Sequence, residues 1–445
     1  MVIMEKSENI RQVDCVVLGA GLSGLTAAFE LHKRNKSFVA LEQAAIAGGM
    51  ISSSKKDGFV IEYGPNSLVL TPEVKQLCKE LHIEDQLLYA KPQSNIRQII
   101  WNSRLHTLKP SPLTLVTTSL LSFTGKLRVL KELFINSKTT NGESVHAFFT
   151  RRLGKQAAER IAGAIVSGIY AGDPTKLEVA AIFSRLVDLE KEYGSVIKGL
   201  SKSEGPERTI ATFNNGLQTI TDALRAVLGD SILFDTAITS IIKMPESQNW
   251  QITYSLNGSS YQVETAHIIA TIPAYALNSI PGTAYPALDI AYNPMLTLQV
   301  AMPKKEFMEK TLGFGFLAST FERNDFIGVM LNGHIFETGL NDSEALMNFF
   351  VRPDNCSETD AQLIFETLCA PLFKQWTGIA APLRLVSHKL WQQAIPQKTI
   401  GHVAWLQEVA KWEIENPGFY IAGNYKNGVA LGDCVAHHQA LVNAM

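Results

Sequence analysis

Apolar and polar positions follow two periods along this chain, and the changes of period mark its organisation. A continuous apolar run, Cys15 to Leu18, has strand character; Leu25, Ala28, Phe29 and Leu31 then recur at helical spacing before a second run, Phe38-Val39-Ala40-Leu41. Pro72 to about Leu81 reads as a helix with Val74, Leu77 and Leu81 on one face. Ile96 to Leu108 reads as a hairpin, with Ile99 and Trp101 on one side and Asn102-Ser103 at the turn. From 110 to 200 strand character is lost, and helices are predicted over 129–135, 145–153 and 157–166, closed by the polar run 201–208. A helix over 217–228 precedes short strands at 232–234, 250–256 and 261–264 and a buried strand at 267–271. Residues 276–395 read as strand-rich, with helices over 343–350 and 359–368, and the chain ends in a helix from about Ala430.

The turn after the first strand carries Gly19-Ala20-Gly21-Leu22-Ser23-Gly24. Gly19 permits a tight turn, Gly21 lets backbone N–H groups approach a pyrophosphate, and Gly24 allows close helix packing, with the helix N-terminus facing the phosphate charge. The second strand ends at Glu42, at the distance where a carboxylate meets ribose hydroxyls. A preceding strand, a following helix and this acid together make a dinucleotide site. Phe419-Tyr420-Ile421-Ala422-Gly423-Asn424 brings the other end of the chain back to it.

The fold expected is α/β. A Rossmann-type dinucleotide-binding domain, the FAD-binding domain of the resemblance given below, is assembled from 1–90, 206–275 and 396–445; a mixed-sheet substrate domain takes the hairpin 91–106 and residues 276–395; a helical insertion spans 107–205. The length of 445 residues accommodates two or three domains, and the 46% hydrophobic share supports a large core. A net charge of −2 gives no electrostatic reason to expect nucleic acid. The five cysteines are scattered, without metal-ligand spacing, as in reduced cytosolic thiols. With no signal-peptide core and no spanning apolar stretch, a cytoplasmic protein is expected, with attachment to the inner face of the membrane left open. The apolar stretch 112–123, followed by Lys126, Arg128 and Lys131, suits either the edge of an anionic bilayer or a buried helix with a basic end. The oligomeric state, a homodimer included, is left open. No Ser/His/Asp set, metal cluster or carboxylate pair asks for hydrolytic chemistry.

Four further segments carry a resemblance: Gly64-Pro65-Asn66-Ser67; Ser167 to Pro174 (SGIYAGDP); Leu390 to Gln397 (LWQQAIPQ); and Gly423 to Val435 (GNYKNGVALGDCV). With the fingerprint they resemble the flavin amine oxidase superfamily and, within it, the protoporphyrinogen oxidase family. The resemblance implies noncovalent FAD, a porphyrinogen substrate (protoporphyrinogen IX, or coproporphyrinogen III with its four propionates), and molecular oxygen as acceptor. By position it implies that Gly19 to Gly24, Glu42 and Gln43 hold the ADP half, that Gly48-Gly49 pass the pyrophosphate, and that Ile238 meets the adenine. Gly64 to Ser67, Trp391, Gly423, Asn424 and Val429-Ala430-Leu431 lie around the flavin, and Asn66 faces the reaction zone. Gly168 lines the pocket, Arg97 binds a propionate, and Leu317 and Phe336 sandwich the macrocycle. Two departures stand out: Met50 follows Gly48-Gly49 where relatives carry a basic or polar residue, and Gln392 replaces a proline beside Trp391.

The residues also admit plainer readings. Alternation puts Arg97 on a face with Ile99 and Trp101, where a guanidinium needs an anion or snorkels to water. Leu317 and Phe336 read as core on composition alone. The terminal helix would aim its positive end at charge building on a reduced flavin. His437 and His438 read as helix surface. An amine oxidase, a carotenoid desaturase and a non-catalytic flavin or porphyrin binder are the other functional classes, the first disfavoured by Asn424 standing where that branch carries an acid.

Overall fold

The computed structural model describes residues 10–108, 114–203, 209–286, 289–323, 325–353 and 357–445, with the side chains of 115 and 116 also outside the description. Arg11–Leu18 lies at the centre of one sheet, parallel to Phe38–Leu41 on one side and to Ser259–Ala270 on the other. Its last residues are fully buried on both faces, as the unbroken apolar run requires of a parallel strand. Phe419–Ile421 joins the same sheet alongside Ile268–Ala270, so the two ends of the chain meet in one layer. The helix Leu22–Lys33 packs on the terminal helix Leu431–Ala444.

Two short strands expected at 261–264 and 267–271 are one strand, Ser259–Ala270. Its parallel pairing with Arg11–Leu18 runs from Val263 to Ala270, straight through the expected break.

The second large sheet runs in the order Arg384–Pro396, Tyr292–Pro303, Glu344–Val351, Phe326–Met330, Gly315–Ala318, Arg97–Trp101, Arg104–Leu108. The hairpin forms as alternation predicts, with Asn102 and Ser103 at φ 51° and 55° in its turn. The helix expected over 343–350 is instead the strand Glu344–Val351, paired on both edges. Glu, Ala, Leu and Met favour helix, but ladder partners on both sides override that propensity, and burial of both faces hides the alternation. The helix expected over 359–368 continues to Thr377 through a π turn at Phe365–Cys369.

The two faces of this sheet differ in chemistry. Leu296, Leu298 and Val300 with Met347 and Phe349 form the apolar face, against Phe365, Phe373 and Trp376 of the covering helix. The opposite face presents, in register straight across the strands, Ser387, Gln299, Asn348, Met330, Gly315 and Arg97. The neighbouring row runs Lys389, Thr297, Phe350, Gly328, Leu317 and Ile99.

The helical unit is tied by buried charge. Glu132 and Arg152 are both fully buried and paired; the Val196 N–H donates to Glu132 at 2.8 Å, and Arg152 donates to the Gly194 carbonyl at 2.9 Å. Arg151 bridges Glu143 and Glu190 at 2.8 and 2.7 Å. Part of the stretch 112–123 falls outside the described residues, while its Leu120 and Leu121 are core. Arg128 spends its guanidinium on the carbonyls of Thr150, Arg151 and Arg152. Among the apolar side chains of this unit that reach the surface are Phe123, Leu127, Leu130 and Phe134. Among the described residues no helix is long and apolar enough to cross a membrane.

Candidate functional site

The fingerprint turn and the Gly48-Gly49 loop lie back to back, with the Gly48 N–H donating to the Ala20 carbonyl at 2.9 Å and Gly21 bridged to Gly48. Glu42 clamps the pair: its carboxylate accepts from the N–H of Ala20 at 2.6 Å and of Ala44 at 2.8 Å. Thr236 donates to the Glu42 carbonyl through both N–H and hydroxyl, placing Ile238 two residues further along the adjoining strand. Gln43 is exposed beside Glu42. The helix Leu22–Lys33 starts at this turn without a side-chain cap, and the terminal helix, starting at Leu431, is likewise uncapped. A Cβ built on Gly21 would meet nothing nearer than the Gly49 Cα at 3.8 Å. Free first-turn N–H groups facing a space bare of side chains fit a pyrophosphate.

Residues 62–66 run from this cradle across the polar face of the second sheet, and side chains of that sheet grip both their backbone and their side chains. The Gln299 amide donates to the Glu62 carbonyl at 3.3 Å, and the Trp391 indole donates to the Tyr63 carbonyl at 2.7 Å. The Ser387 hydroxyl donates to the Tyr63 hydroxyl at 3.2 Å, and the Asn348 amide donates to Asn66 Oδ1. Asn66 Nδ2 in turn donates to the Gly64 carbonyl at 3.1 Å. The Trp391 contact is made with Gln392 beside it, so the departure from proline leaves the indole anchored. Burial pushes the Glu62 carboxyl up to about 8, against donors from Ser53 and Leu217.

Of the residues expected at the substrate, Arg97, Leu317 and Gly168 come together. A Cβ on Gly168 would lie 2.7 Å from Leu317, which sits opposite Ile99 on the face that carries Arg97. The Arg97 guanidinium stacks on the Phe314 ring at 4.0 Å and donates to the Ser94 carbonyl. No carboxylate pairs with it among the described residues, and burial lowers its pKa. Phe336 is buried with Phe314, Met330 and Phe350, so it backs the wall on which Arg97 lies. Arg97 and Asn348 share one row, three strand spacings apart, about 14 Å.

The profile of the flavin containing amine oxidoreductase family matches residues 22–437. The chain belongs to that family. Among curated relatives it is 30% identical to the chloroplastic protoporphyrinogen oxidase of Oryza sativa subsp. japonica, over 95% of this chain and 86% of the relative. It is 25% identical to the coproporphyrinogen III oxidase of Bacillus subtilis, over 96% of this chain and 97% of the relative. In fold it is similar to a crystal structure from Exiguobacterium sp. 255-15, provisionally named a protoporphyrinogen oxidase, with TM-score 0.80, 20% identity and coverage of 98% and 99% of the two chains.

As a flavin amine oxidoreductase the protein takes FAD, and the cradle fits that group: Gly19 to Gly24 and Gly48-Gly49 would present backbone to the pyrophosphate, with Glu42 held beside the turn by the Ala20 N–H. Gly423 caps the short helix Asn424–Asn427, and Val429 and Ala430 lead into the terminal helix. His438 corrects the surface reading: it is buried, its Nδ1 and Nε2 lying 2.7 and 2.9 Å from the carbonyl oxygens of Cys434 and Ala422. It pins the terminal helix to the end of the strand Phe419–Ile421. His437 beside it is half-buried.

The residues missed by sequence reasoning are long-range partners. Arg352 and Asn293 both donate to the Ala171 carbonyl, at 2.6 and 2.7 Å, fixing the pocket stretch after Gly168. Gln299 and Asn348 were hidden in apolar strands, where a lone buried amide was the only available signal.

Proposed function

We propose that the protein oxidises a porphyrinogen, protoporphyrinogen IX, to the aromatic porphyrin, with oxygen as the terminal acceptor. The 30% identity to a protoporphyrinogen oxidase across 95% of the chain carries the reading. Noncovalent FAD would accept two electrons per turn, so three turns and three molecules each of oxygen and hydrogen peroxide balance the loss of six electrons and six protons. The chain's own part is positioning. Arg97, partly desolvated and without a carboxylate partner among the described residues, would hold a substrate propionate. Leu317, Gly168 and Gly328 would form a flat apolar floor that excludes water, and the Asn66 amide would stand over the reacting end of the same row.

A second reading, oxidation of coproporphyrinogen III, is supported by the likeness to the Bacillus subtilis enzyme of that name. Arg97, half-buried, is the one substrate anchor identified among the described residues, which favours the substrate with two propionates. The exposed Phe123, Leu127, Leu130 and Phe134 recur on one face of the helical segment, with Lys126 and Lys131 nearby. We read this face as resting on an anionic membrane surface, where an apolar substrate arrives.

Purified holoenzyme given each porphyrinogen in air tests the reading through porphyrin fluorescence and peroxide yield. Turnover of neither substrate overturns it; faster turnover of coproporphyrinogen III selects the second. Sedimentation with anionic vesicles, lost in Phe123→Ser/Phe134→Ser, tests the membrane face.

A further inference from the structure

The amide of Asn66 has a fixed orientation, and a residue 282 positions away in the chain fixes it. Asn66 Nδ2 lies 3.1 Å from the Gly64 carbonyl. A backbone carbonyl only accepts, so the amide nitrogen must face it and Oδ1 must face the sheet. That oxygen can be met only by a donor, which obliges Asn348 to present its own nitrogen. Asn348 therefore turns its Oδ1 away, and that oxygen is buried with no donor among the described residues. The same logic holds one strand over: Gln299, directly opposite Asn348, gives its nitrogen to the Glu62 carbonyl and leaves Oε1 without a donor among the described residues. Both amides sit in fully buried strand positions where apolar residues would cost nothing in unsatisfied oxygen. Keeping them makes sense if the grip on residues 62–66 is what the site needs.

We infer that Asn348 is a positioning residue that commits Asn66 to act as a hydrogen-bond donor at the reaction zone, with its remaining N–H, and withholds its oxygen from use as an acceptor or base. The inference deepens the proposed function and rests on its placement of Asn66 beside the flavin. The row from Arg97 to Asn348 then has a chemical direction, with anion capture at one end and a fixed N–H at the other.

A cycle of Asn348→Leu, Asn66→Ala and the double variant in the holoenzyme tests it, with Asn348→Asp as the isosteric change that removes the donor. Asn348→Leu and Asn348→Asp should each lower kcat by about 10- to 100-fold, as loss of a partner that orients a site group does, with KM within about threefold. In the Asn66→Ala background the Asn348 changes should add less than about twofold, because nothing remains to position. The visible flavin spectrum gives a readout free of substrate: Asn348→Leu and Asn66→Ala should shift it alike and the double variant no further. Losses that multiply, or a flavin spectrum untouched by any of the variants, would overturn the inference. If the parent enzyme turns over no porphyrinogen, the substrate reading falls while the spectral cycle still decides the role of Asn348.

Discussion

The cofactor cradle and the polar face of the second sheet are both built to bind, yet they are made in opposite ways. In the cradle, residues close in sequence expose backbone: Gly19 to Gly24, then Gly48-Gly49, with Glu42 between. On the sheet, side chains from strands far apart in sequence, Gln299, Asn348, Ser387 and Trp391, hold one short segment, 62–66. A backbone site works through what is absent, since a single Cβ fills it. A side-chain site works through what is present, and its members can be removed singly at graded cost. The difference teaches where function is fragile: abruptly in the cradle, by degrees on the sheet.

The largest effect should come from two glycines of the fingerprint to which the sequence assigns different roles. A Cβ on Gly24 would lie 1.9 Å from the Gly19 carbonyl oxygen, whereas one on Gly21 has clear space. Gly24→Val should therefore break the folding of the unit, lowering the melting temperature even without flavin. Gly21→Val should fold and lose FAD, its branched side chain lying where the pyrophosphate goes. Flavin absorbance per protein, with melts of both apoproteins, separates the two outcomes. Equal melts would show that Gly24 is a cofactor residue and not a packing one.

The same contrast explains what the sequence made legible. The cradle was readable because its rules are local: strand, glycines at fixed offsets, helix, acid. The hairpin was readable too, since alternation and a turn dipeptide are adjacent. Glu344–Val351 was not, because a strand buried on both faces loses its alternation and its residues favour helix. With that strand taken for a helix, Asn348 could not be placed opposite Gln299, and the row that joins it to Arg97 was invisible. His438 reads as surface for a related reason: one carbonyl neighbour, Cys434, is a turn back on its own helix, but the other, Ala422, follows a strand that only the fold brings against that helix.

Arg97 sits at the far end of that row, and its removal should be the largest graded effect on the sheet. Arg97→Ala should weaken substrate binding by about 1.5 to 3 kcal/mol, the range of a charged hydrogen bond, raising KM about 10- to 150-fold with flavin content unchanged. Arg97→Lys should recover part of this, because an ammonium cannot make a planar two-point contact. Steady-state kinetics with both porphyrinogens checks it. A loss confined to kcat would place Arg97 in catalysis instead of binding.

Glu62 lies where the two sites join, and it should couple their stability to pH. Its folded pKa of about 8 lies above the ordinary 4.5, so the folded protein keeps a proton that the unfolded chain has lost. The stabilisation is complete below 4.5 and falls away as the pH rises to about 8. Thermal melts of the parent should decline across that window. Glu62→Gln, which keeps an acceptor for the Leu217 N–H and a donor for Ser53, should flatten the decline. An unchanged slope would assign it to other groups.

The smallest effect isolates one tooth of the comb. Trp391→Phe keeps a large ring on the strand but removes the indole N–H that donates to the Tyr63 carbonyl at 2.7 Å. The Thr297 hydroxyl lies 3.4 Å from that carbonyl and 3.3 Å from the Lys389 carbonyl, so its one proton can turn to Tyr63 in the variant, and the carbonyl is weakened and not orphaned. The expected cost is therefore a net hydrogen bond, about 1 kcal/mol, and not the larger penalty of a bare buried acceptor. The variant should hold FAD and melt slightly lower. Adding Thr297→Val should cost more than the two single changes together, because only then does the carbonyl lose every side-chain donor. If the two changes simply add, segment 62–66 is held by its other contacts, Asn348 and Gln299 foremost, and the grip on the cofactor segment is shared more evenly than the bond lengths imply.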